Sequence, residues 1–202
     1  MFVLGITGGI GCGKSTFSNF FREAGVKVVD ADAISHVVTA VGGSALDELR
    51  LCLPATCFQA DGSLDREQVA ALVFNDKTLL DQISLIIHEQ VINEIQKEVE
   101  AAKQASLPLI VLDVPLPVQH GFLDLSDFVL VIWANEDVRI ERLQQRGLAK
   151  LAAKQRIACQ MTKEEYAKLA NLTIDNSVDL AALKQKFSEF VEQELNSRGI
   201  FL

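Results

Sequence analysis

Four glycines in six positions, 8 to 13, precede Lys14, Ser15 and Thr16 near the start of the chain. The stretch Gly8-Gly9-Ile10-Gly11-Cys12-Gly13-Lys14-Ser15 fits the pattern G-x-x-x-x-G-K-[ST]. Glycines let backbone N–H groups point inward, and the absent Cβ atoms leave room for phosphate oxygens. A lysine ammonium can lie between the β- and γ-phosphates, and a serine hydroxyl can ligate Mg²⁺. We therefore predict a nucleotide phosphate site formed by Gly8, Gly11, Cys12, Gly13, Lys14, Ser15 and Thr16, with Ser15 as a metal ligand.

Aspartates follow two apolar stretches that are typical of buried strands. Asp30 and Asp32 follow residues 26–29, and Asp113 ends the stretch 109–113. The carboxyl ends of parallel strands share the edge of a sheet at which ligands bind. We expect one of Asp30 and Asp32 to orient or deprotonate an acceptor hydroxyl and the other to hold Mg²⁺ through water. Asp113 is predicted to associate with Mg²⁺. The alternatives are that Asp32 caps the next helix and that Asp113 is a strand-end turn residue.

Three arginines lie on a predicted helix at 136–146. Arg142 and Arg146 are four residues apart and share one face of that helix, and Arg139 lies three residues before Arg142. Cationic groups stabilise a phosphoryl group during transfer, and a closing lid can bring them onto the nucleotide. We therefore predict that Arg142 and Arg146 supply positive charge to the phosphates of the bound nucleotide. The alternative is a solvated, charged helix face.

The four cysteines show no metal-ligand spacing. Cys52, Cys57 and Cys159 are predicted to be small buried residues, and Cys12 fills a variable position of the glycine loop. Because a helix N-terminus can lower a thiol pKa, a secondary hypothesis is that oxidation of Cys12 blocks ATP binding. Reduced cysteines favour a cytoplasmic location.

Short apolar runs alternate with helical patterns along the chain. The predicted strands are residues 2–6, 26–29, 109–113, 128–133 and 172–174. Continuous apolar strands that alternate with helices indicate a parallel sheet covered on both faces. We therefore predict an α/β fold with a five-stranded parallel sheet flanked by helices. The helix-rich segment between the second and third strands is too long for a simple crossover, so we expect it to form a side lobe.

Length and charge restrict the function classes. The chain has 202 residues, enough for one domain, and a net charge of -8, which argues against extended nucleic-acid binding. Its apolar runs are too short to span a bilayer, and no signal-peptide pattern opens the chain, so we expect no membrane partner. The guanine-reading N-K-x-D and switch D-x-x-G sequences do not occur, which argues against a GTPase.

Several stretches together resemble the dephospho-CoA kinase family. They are GITGGIGCGKST at 5–16, VDAD at 29–32, DGSLDR at 61–66, VF at 73–74 and IDN at 174–176. The resemblance covers nearly the whole chain, and these stretches in this order are far more specific than the glycine loop alone. Cys12 stands where the family usually has serine.

The resemblance implies a P-loop NTPase fold and an ATP- and Mg²⁺-dependent transferase. The reaction would pass the ATP γ-phosphoryl group to the ribose 3′-hydroxyl of dephospho-CoA, giving coenzyme A and ADP. Asp32 would be the catalytic base, assisted by Lys14 and Arg142, while Asp30 and His88 would contact the acceptor. His88 is predicted from spacing alone to be structural, within the long helical pattern at 77–104.

The same resemblance divides the chain by function. It implies a core at 1–32, 106–137 and 166–202, a helical CoA-binding lobe at 33–105 and a small helical lid at 138–165. Dephospho-CoA would be a small-molecule partner. We expect a monomer, with weak homo-oligomerisation as the alternative.

Two departures from the family pattern leave other functions open. Glu89 follows His88 where the family usually has proline, and Gln119 stands where it usually has glutamate. Glutamine keeps the hydrogen-bonding capacity of glutamate and loses its charge. One alternative is a regulatory protein that binds nucleotide without phosphoryl transfer. Another is a kinase for a different small acceptor, such as a nucleoside monophosphate, which DGSLDR and Asp30-Ala31-Asp32 argue against. No residue in the sequence can be identified as a contact to the nucleobase of the donor, so the preference for ATP over GTP stays open.

Overall fold

The computed structural model describes residues 1–74, 76–115 and 121–202. The strands are β1 (Phe2–Thr7), β2 (Lys27–Asp30), β3 (Leu109–Asp113), β4 (Phe128–Trp133) and β5 (Leu172–Asp175). The helices are α1 (Lys14–Glu23), α2 (Ala31–Val38), α3 (Leu46–Cys52), α4 (Arg66–Val73), α5 (Lys77–Gln104), α6 (Phe122–Leu125), α7 (Glu136–Gln145), α8 (Lys150–Ala158), α9 (Lys163–Leu169) and α10 (Leu180–Phe190). A π-helical turn, Val191–Leu195, follows α10.

The five strands form one parallel sheet in the order β2-β3-β1-β4-β5, which confirms the predicted fold class. β3 is buried at every position, as expected for a central strand covered on both faces. The register places Asp113 beside Ile6 on one side and beside Asp30 on the other. Two predicted acidic residues therefore lie at adjacent strand ends.

Phenylalanines hold α1 in place. Phe17 and Phe21 of α1 are fully buried. Their rings meet Phe187 of α10 with centroid separations of 5.5 and 4.9 Å in edge-to-face geometry. Such aromatic pairs add stabilisation beyond the area they bury. Because α1 begins at Lys14, this packing also fixes the end of the glycine loop.

The chain divides into two compact units. The sheet unit comprises Met1–Asp30 and Val99–Leu202, and the helical unit comprises Ala31–Glu98. The predicted functions of the lobe and the lid remain predictions. No helix in the described residues is both long and apolar enough to cross a membrane.

Candidate active site

The glycine loop joins β1 to α1 in the sheet unit. The N–H of Cys12 donates to the carbonyl of Gly9 at 3.1 Å, which closes a turn inside the loop. The first helical bond of α1 runs from the Phe17 N–H to the Gly13 carbonyl at 3.1 Å. The N–H groups of Lys14 and Ser15 precede that bond and have no partner within the helix. Together with the helix dipole, they form a site suited to an anion.

Protein groups on the outer side of the loop also require its glycines. The Asn176 amide donates to the Cys12 carbonyl at 2.7 Å and lies where a Cβ on Gly13 would project. A Cβ on Gly11 would lie 3.2 Å from the Cα and Cβ of Arg139. Room for phosphate oxygens is therefore one reason for these glycines, and close packing against Asn176 and Arg139 is a second. Asn176 is a site residue to which sequence reasoning gave no role.

Lys14 and Asp113 form an ion pair in the sheet unit. The Asp113 side chain is almost completely buried and that of Lys14 is mostly buried. Asp113 lies at the carboxyl end of β3, as its strand-end position predicted. In the described residues, no cluster of three or more His, Cys, Asp or Glu side chains could hold a metal ion. A role of Asp113 in Mg²⁺ binding therefore remains a prediction.

Asp30 and Asp32 lie in different units. Asp30 ends β2 and pairs with Arg22 at 3.6 Å, and both side chains are partly exposed. Asp32 lies in the first turn of α2, which begins at Ala31. The alternative that Asp32 is the N-cap of this helix is therefore wrong, because the helix starts before it.

His88 lies on α5 in the helical unit and is half-buried. Burial lowers the pKa of His88 below its ordinary value, and the charge of Glu89 partly opposes that shift. A neutral imidazole is therefore the form favoured near neutral pH, and it can donate a hydrogen bond from one ring nitrogen and accept one at the other.

Arg142 contacts backbone carbonyls around the loop. Its Nη2 donates to the carbonyls of Asn176 at 2.9 Å and Val178 at 3.3 Å. Its Nη1 donates to the carbonyls of Gly11 at 3.3 Å and Cys12 at 3.4 Å. The alternative of a solvated helix face is therefore wrong for Arg142, because the guanidinium is fixed by four acceptors.

A cavity of about 380 Å³ adjoins the start of α1. Its lining combines the end of the glycine loop, one arginine within α7, one arginine directly after α7, and the residues that follow β5. The lining residues include Gly13, Thr16, Arg142, Arg146, Asn176 and Val178. Arg142 and Arg146 therefore share one side of an open space next to the predicted phosphate site.

Cys12 is fully buried. Burial raises the pKa of the Cys12 thiol, and the nearby charges of Arg139 and Arg142 only partly offset this effect. The expectation of a lowered thiol pKa is therefore wrong, because burial outweighs the local effect of the helix terminus. All four cysteines are free. Cys57 is buried as predicted, Cys52 is intermediate, and Cys159 is exposed, contrary to prediction.

Residues of the DGSLDR stretch form hydrogen bonds that stabilise the helical unit. Asp65 caps α4 by accepting from the N–H groups of Glu67 and Gln68 at 3.1 and 3.0 Å. Arg66 Nη2 donates to the Ser35 carbonyl at 2.7 Å and to Thr39 Oγ1 at 2.9 Å, which joins α4 to the end of α2. These bonds give the stretch a structural role.

Hydrogen bonds from Ser63 lower the pKa of Asp61 and hold the turn that precedes α4. Gln119, at which the chain departs from the family pattern, lies outside the described residues.

Comparison with known proteins agrees with this architecture. The sequence model of the dephospho-CoA kinase family matches residues 2–182. A dephospho-CoA kinase of Anaeromyxobacter dehalogenans is 36% identical over 200 residues, with 98% of this chain and 95% of that protein covered. One from Streptococcus pyogenes serotype M1 is 37% identical over 186 residues, with 90% and 92% covered.

Solved structures give the same result. The dephospho-CoA kinase of Campylobacter jejuni aligns with a TM-score of 0.72 and 25% identity over 98% of each chain. A Thermus thermophilus crystal structure aligns with a TM-score of 0.79 and 29% identity over 96% of this chain and 97% of that one. A shikimate kinase from Bacteroides thetaiotaomicron, at 14% identity and a TM-score of 0.53, shares the fold. The chain therefore belongs to the dephospho-CoA kinase family, transferases that use ATP and catalyse the last step of coenzyme A biosynthesis.

Proposed function

We propose that this chain transfers the γ-phosphoryl group of ATP to the ribose 3′-hydroxyl of dephospho-CoA. The observation that carries the proposal is the open N-terminus of α1, which begins at Lys14 and directly follows the glycine loop. Unpaired N–H groups and a helix dipole favour bound phosphate, and a lysine at this position adds a full positive charge.

Lys14 holds the donor phosphates in this proposal. In the structure its ammonium pairs with Asp113, whose side chain is only 2% exposed. If Lys14 turned toward the β- and γ-phosphates, Asp113 would become a buried charge without its partner, which is costly. A Mg²⁺ ion that arrives with ATP would neutralise charge on the transferring phosphoryl group, and Ser15 and Asp113 would hold it directly or through water.

The cavity next to Gly13 and Thr16 is the proposed place for the donor's nucleoside. Its volume of about 380 Å³ lies within the range of small-ligand pockets. Planar guanidinium groups can stack on aromatic bases, and Arg142 and Arg146 line this cavity. For Arg142 to reach the phosphates as well, it would have to release some of its four carbonyl bonds.

Asp32 is the proposed base for the acceptor. A carboxylate that accepts the 3′-hydroxyl proton as the oxygen attacks phosphorus would supply general-base catalysis. Asp30 and His88 are proposed acceptor contacts. Because the pKa of His88 is lowered, we assign it a neutral hydrogen-bonding role near pH 7.

The test is ADP release measured with and without dephospho-CoA, in the presence of Mg²⁺. We expect ADP release that depends on dephospho-CoA and is much weaker with nucleoside monophosphates offered as acceptors. Donor binding without acceptor-dependent ADP would favour the regulatory alternative and overturn the kinase proposal. A faster rate with a nucleoside monophosphate would favour the kinase of a different acceptor.

We also propose that the protein acts as a monomer in the cytoplasm. Its four cysteines are free, which suits a reducing compartment. Sedimentation velocity at micromolar concentration tests the oligomeric state. A concentration-independent monomer would agree with the proposal, and a stable oligomer would contradict it.

A further inference from the structure

The side chains of Gln160 and Arg139 form hydrogen bonds with the backbone of Ile10 in the glycine loop. Gln160, which follows α8, accepts a hydrogen bond from the Ile10 N–H through Oε1 at 2.8 Å. Arg139 of α7 donates from Nε to the Ile10 carbonyl at 2.9 Å. Arg139 Nη2 also donates to Gln160 Oε1 at 2.9 Å. Both backbone polar groups of Ile10 are thus held by a closed set of three hydrogen bonds, which we call the Ile10 clasp.

Arg139 is an unusual residue to find at this depth. It is 2% exposed, and its guanidinium lies over the Trp133 ring at 5.0 Å from the centroid. In the described residues it forms no ion pair with an acidic side chain. Burying a charge without a counter-charge is costly, and an apolar side chain would fill the same space at lower cost. Packing alone therefore does not account for an arginine here.

The position of the clasp relates it to phosphate binding. A Cβ on Gly11 would meet Arg139 backbone and side-chain atoms at 3.0 to 3.2 Å, so the loop lies in direct contact with this residue. The N–H groups of Lys14 and Ser15, at the other end of the same loop, are among those proposed to bind phosphate. Because Ile10 is held, the loop loses less conformational freedom when its N–H groups bind phosphate.

We propose that Arg139 and Gln160 are positioning residues for the phosphate donor. By holding Ile10, they keep the loop in its phosphate-binding conformation before the nucleotide arrives. The proposal rests on the proposed function only in taking ATP as the donor.

The clasp also attaches the segment at 138–165, which was predicted to be a lid, to the glycine loop. Arg139 lies near its start and Gln160 near its end, and both are bonded to the loop. A movement of the whole segment would break the clasp. A lid movement that preserves donor binding is therefore confined to the residues between these two anchors.

The test uses matched substitutions at Gln160. Gln160→Leu keeps the size of the side chain and removes the shared acceptor, whereas Gln160→Glu keeps an oxygen that can accept both hydrogen bonds. Gln155→Leu, at an exposed position on α8, is the control for adding leucine to this segment. The measurement is the Kd of Mg-ATP by calorimetry without acceptor, together with the KM of dephospho-CoA and the Tm.

We expect Gln160→Leu to raise the Kd of Mg-ATP about tenfold, because a loop that is no longer held must be ordered when phosphate binds. The Kd should stay within about threefold of the wild type for Gln160→Glu and be unchanged for Gln155→Leu. The KM of dephospho-CoA should not change in any of the three, because the clasp contacts only the donor loop.

A wild-type Kd in Gln160→Leu, or an equal loss in Gln160→Leu and Gln160→Glu, would overturn the proposal. An equal rise in the KM of dephospho-CoA would also overturn the proposal. If Gln160→Leu fails to fold, Arg139→Lys replaces it, because lysine keeps the charge but cannot reproduce the forked donation, and the same rise in Kd is expected. Absence of Mg-ATP binding in the wild-type protein would contradict the proposed function instead.

Discussion

Arg139 in the sheet unit and Arg66 in the helical unit use the same chemistry for different purposes. Each donates to a backbone carbonyl of another segment, Ile10 for Arg139 and Ser35 for Arg66. Arg139 is buried and holds the loop that is proposed to bind phosphate, whereas Arg66 is exposed and braces two helices. The DGSLDR motif, so prominent in the sequence, thus stabilises a unit, and a residue outside every matched motif contacts the candidate site.

The comparison predicts that variants in the two units affect different quantities. Changes around the glycine loop should alter donor binding. Changes in the helical unit should alter the acceptor step or stability without altering donor binding.

The largest effect is expected for Lys14→Ala. Loss of the ammonium should reduce kcat by a factor of about 10² to 10³ and weaken Mg-ATP binding. It should also lower the free energy of unfolding by about 3 kcal/mol, because Asp113 would remain as a buried charge without its partner. Steady-state kinetics, calorimetry and denaturant unfolding measure the three quantities.

A double variant separates these two roles of Lys14. Lys14→Met with Asp113→Leu replaces the ion pair by apolar side chains of similar size, so stability should recover while activity stays lost. Wild-type Mg-ATP affinity in Lys14→Ala would contradict the proposed phosphate site.

Asp32→Asn should come next in size. Asparagine keeps the shape of the side chain and cannot take a proton, so kcat should fall by a factor of about 10² or more. The Kd of Mg-ATP should be kept, because Asp32 belongs to the helical unit. A near-normal kcat would remove Asp32 from the mechanism. An equal loss of Mg-ATP affinity would contradict the expectation that variants in the helical unit leave donor binding unchanged.

The sequence predicted the sheet well because its signals are local. The apolar stretches at 109–112 and 128–132 lie within β3 and β4, and the long apolar periodicity at 77–104 matches α5. Boundaries were less accurate: β2 covers Lys27–Asp30, one residue later than the strand predicted at 26–29. The short helix α6 had no predicted counterpart.

The candidate site could be predicted only where a motif reports it. Lys14 and Ser15 follow from the spacing of the glycine loop. The roles of Arg139, Gln160 and Asn176 depend on contacts that join residues 129, 150 and 164 positions apart, and no local periodicity encodes such contacts. The pKa of Cys12 was predicted wrongly for the same reason, since burial arises from tertiary packing.

Arg66→Ala tests the structural role of the arginine in the helical unit. Loss of its bonds to Ser35 and Thr39 should lower the free energy of unfolding by about 1 kcal/mol, because the guanidinium is exposed. Mg-ATP affinity should stay at the wild-type value. The measurements are denaturant unfolding and calorimetry, with Gln160→Leu run in parallel as the variant that should show the opposite pattern. A rise in the Kd of Mg-ATP with Arg66→Ala would show that the two arginines do not act separately.

The smallest expected effect is a pH dependence of stability that arises in the helical unit. Burial lowers the pKa of His88 in the folded chain, so below its ordinary pKa near 6.5 the unfolded chain binds more protons than the folded one. The contribution of His88 to stability is therefore present above about pH 6.5 and is lost as the pH falls below that value. His88→Gln should flatten the fall in Tm between about pH 7 and pH 5. His36→Gln is the control, because His36 lies on α2 in the same unit. An unchanged slope in His88→Gln would assign the acid sensitivity to other groups, and a steeper one would mean that the charged imidazole is the stabilised form.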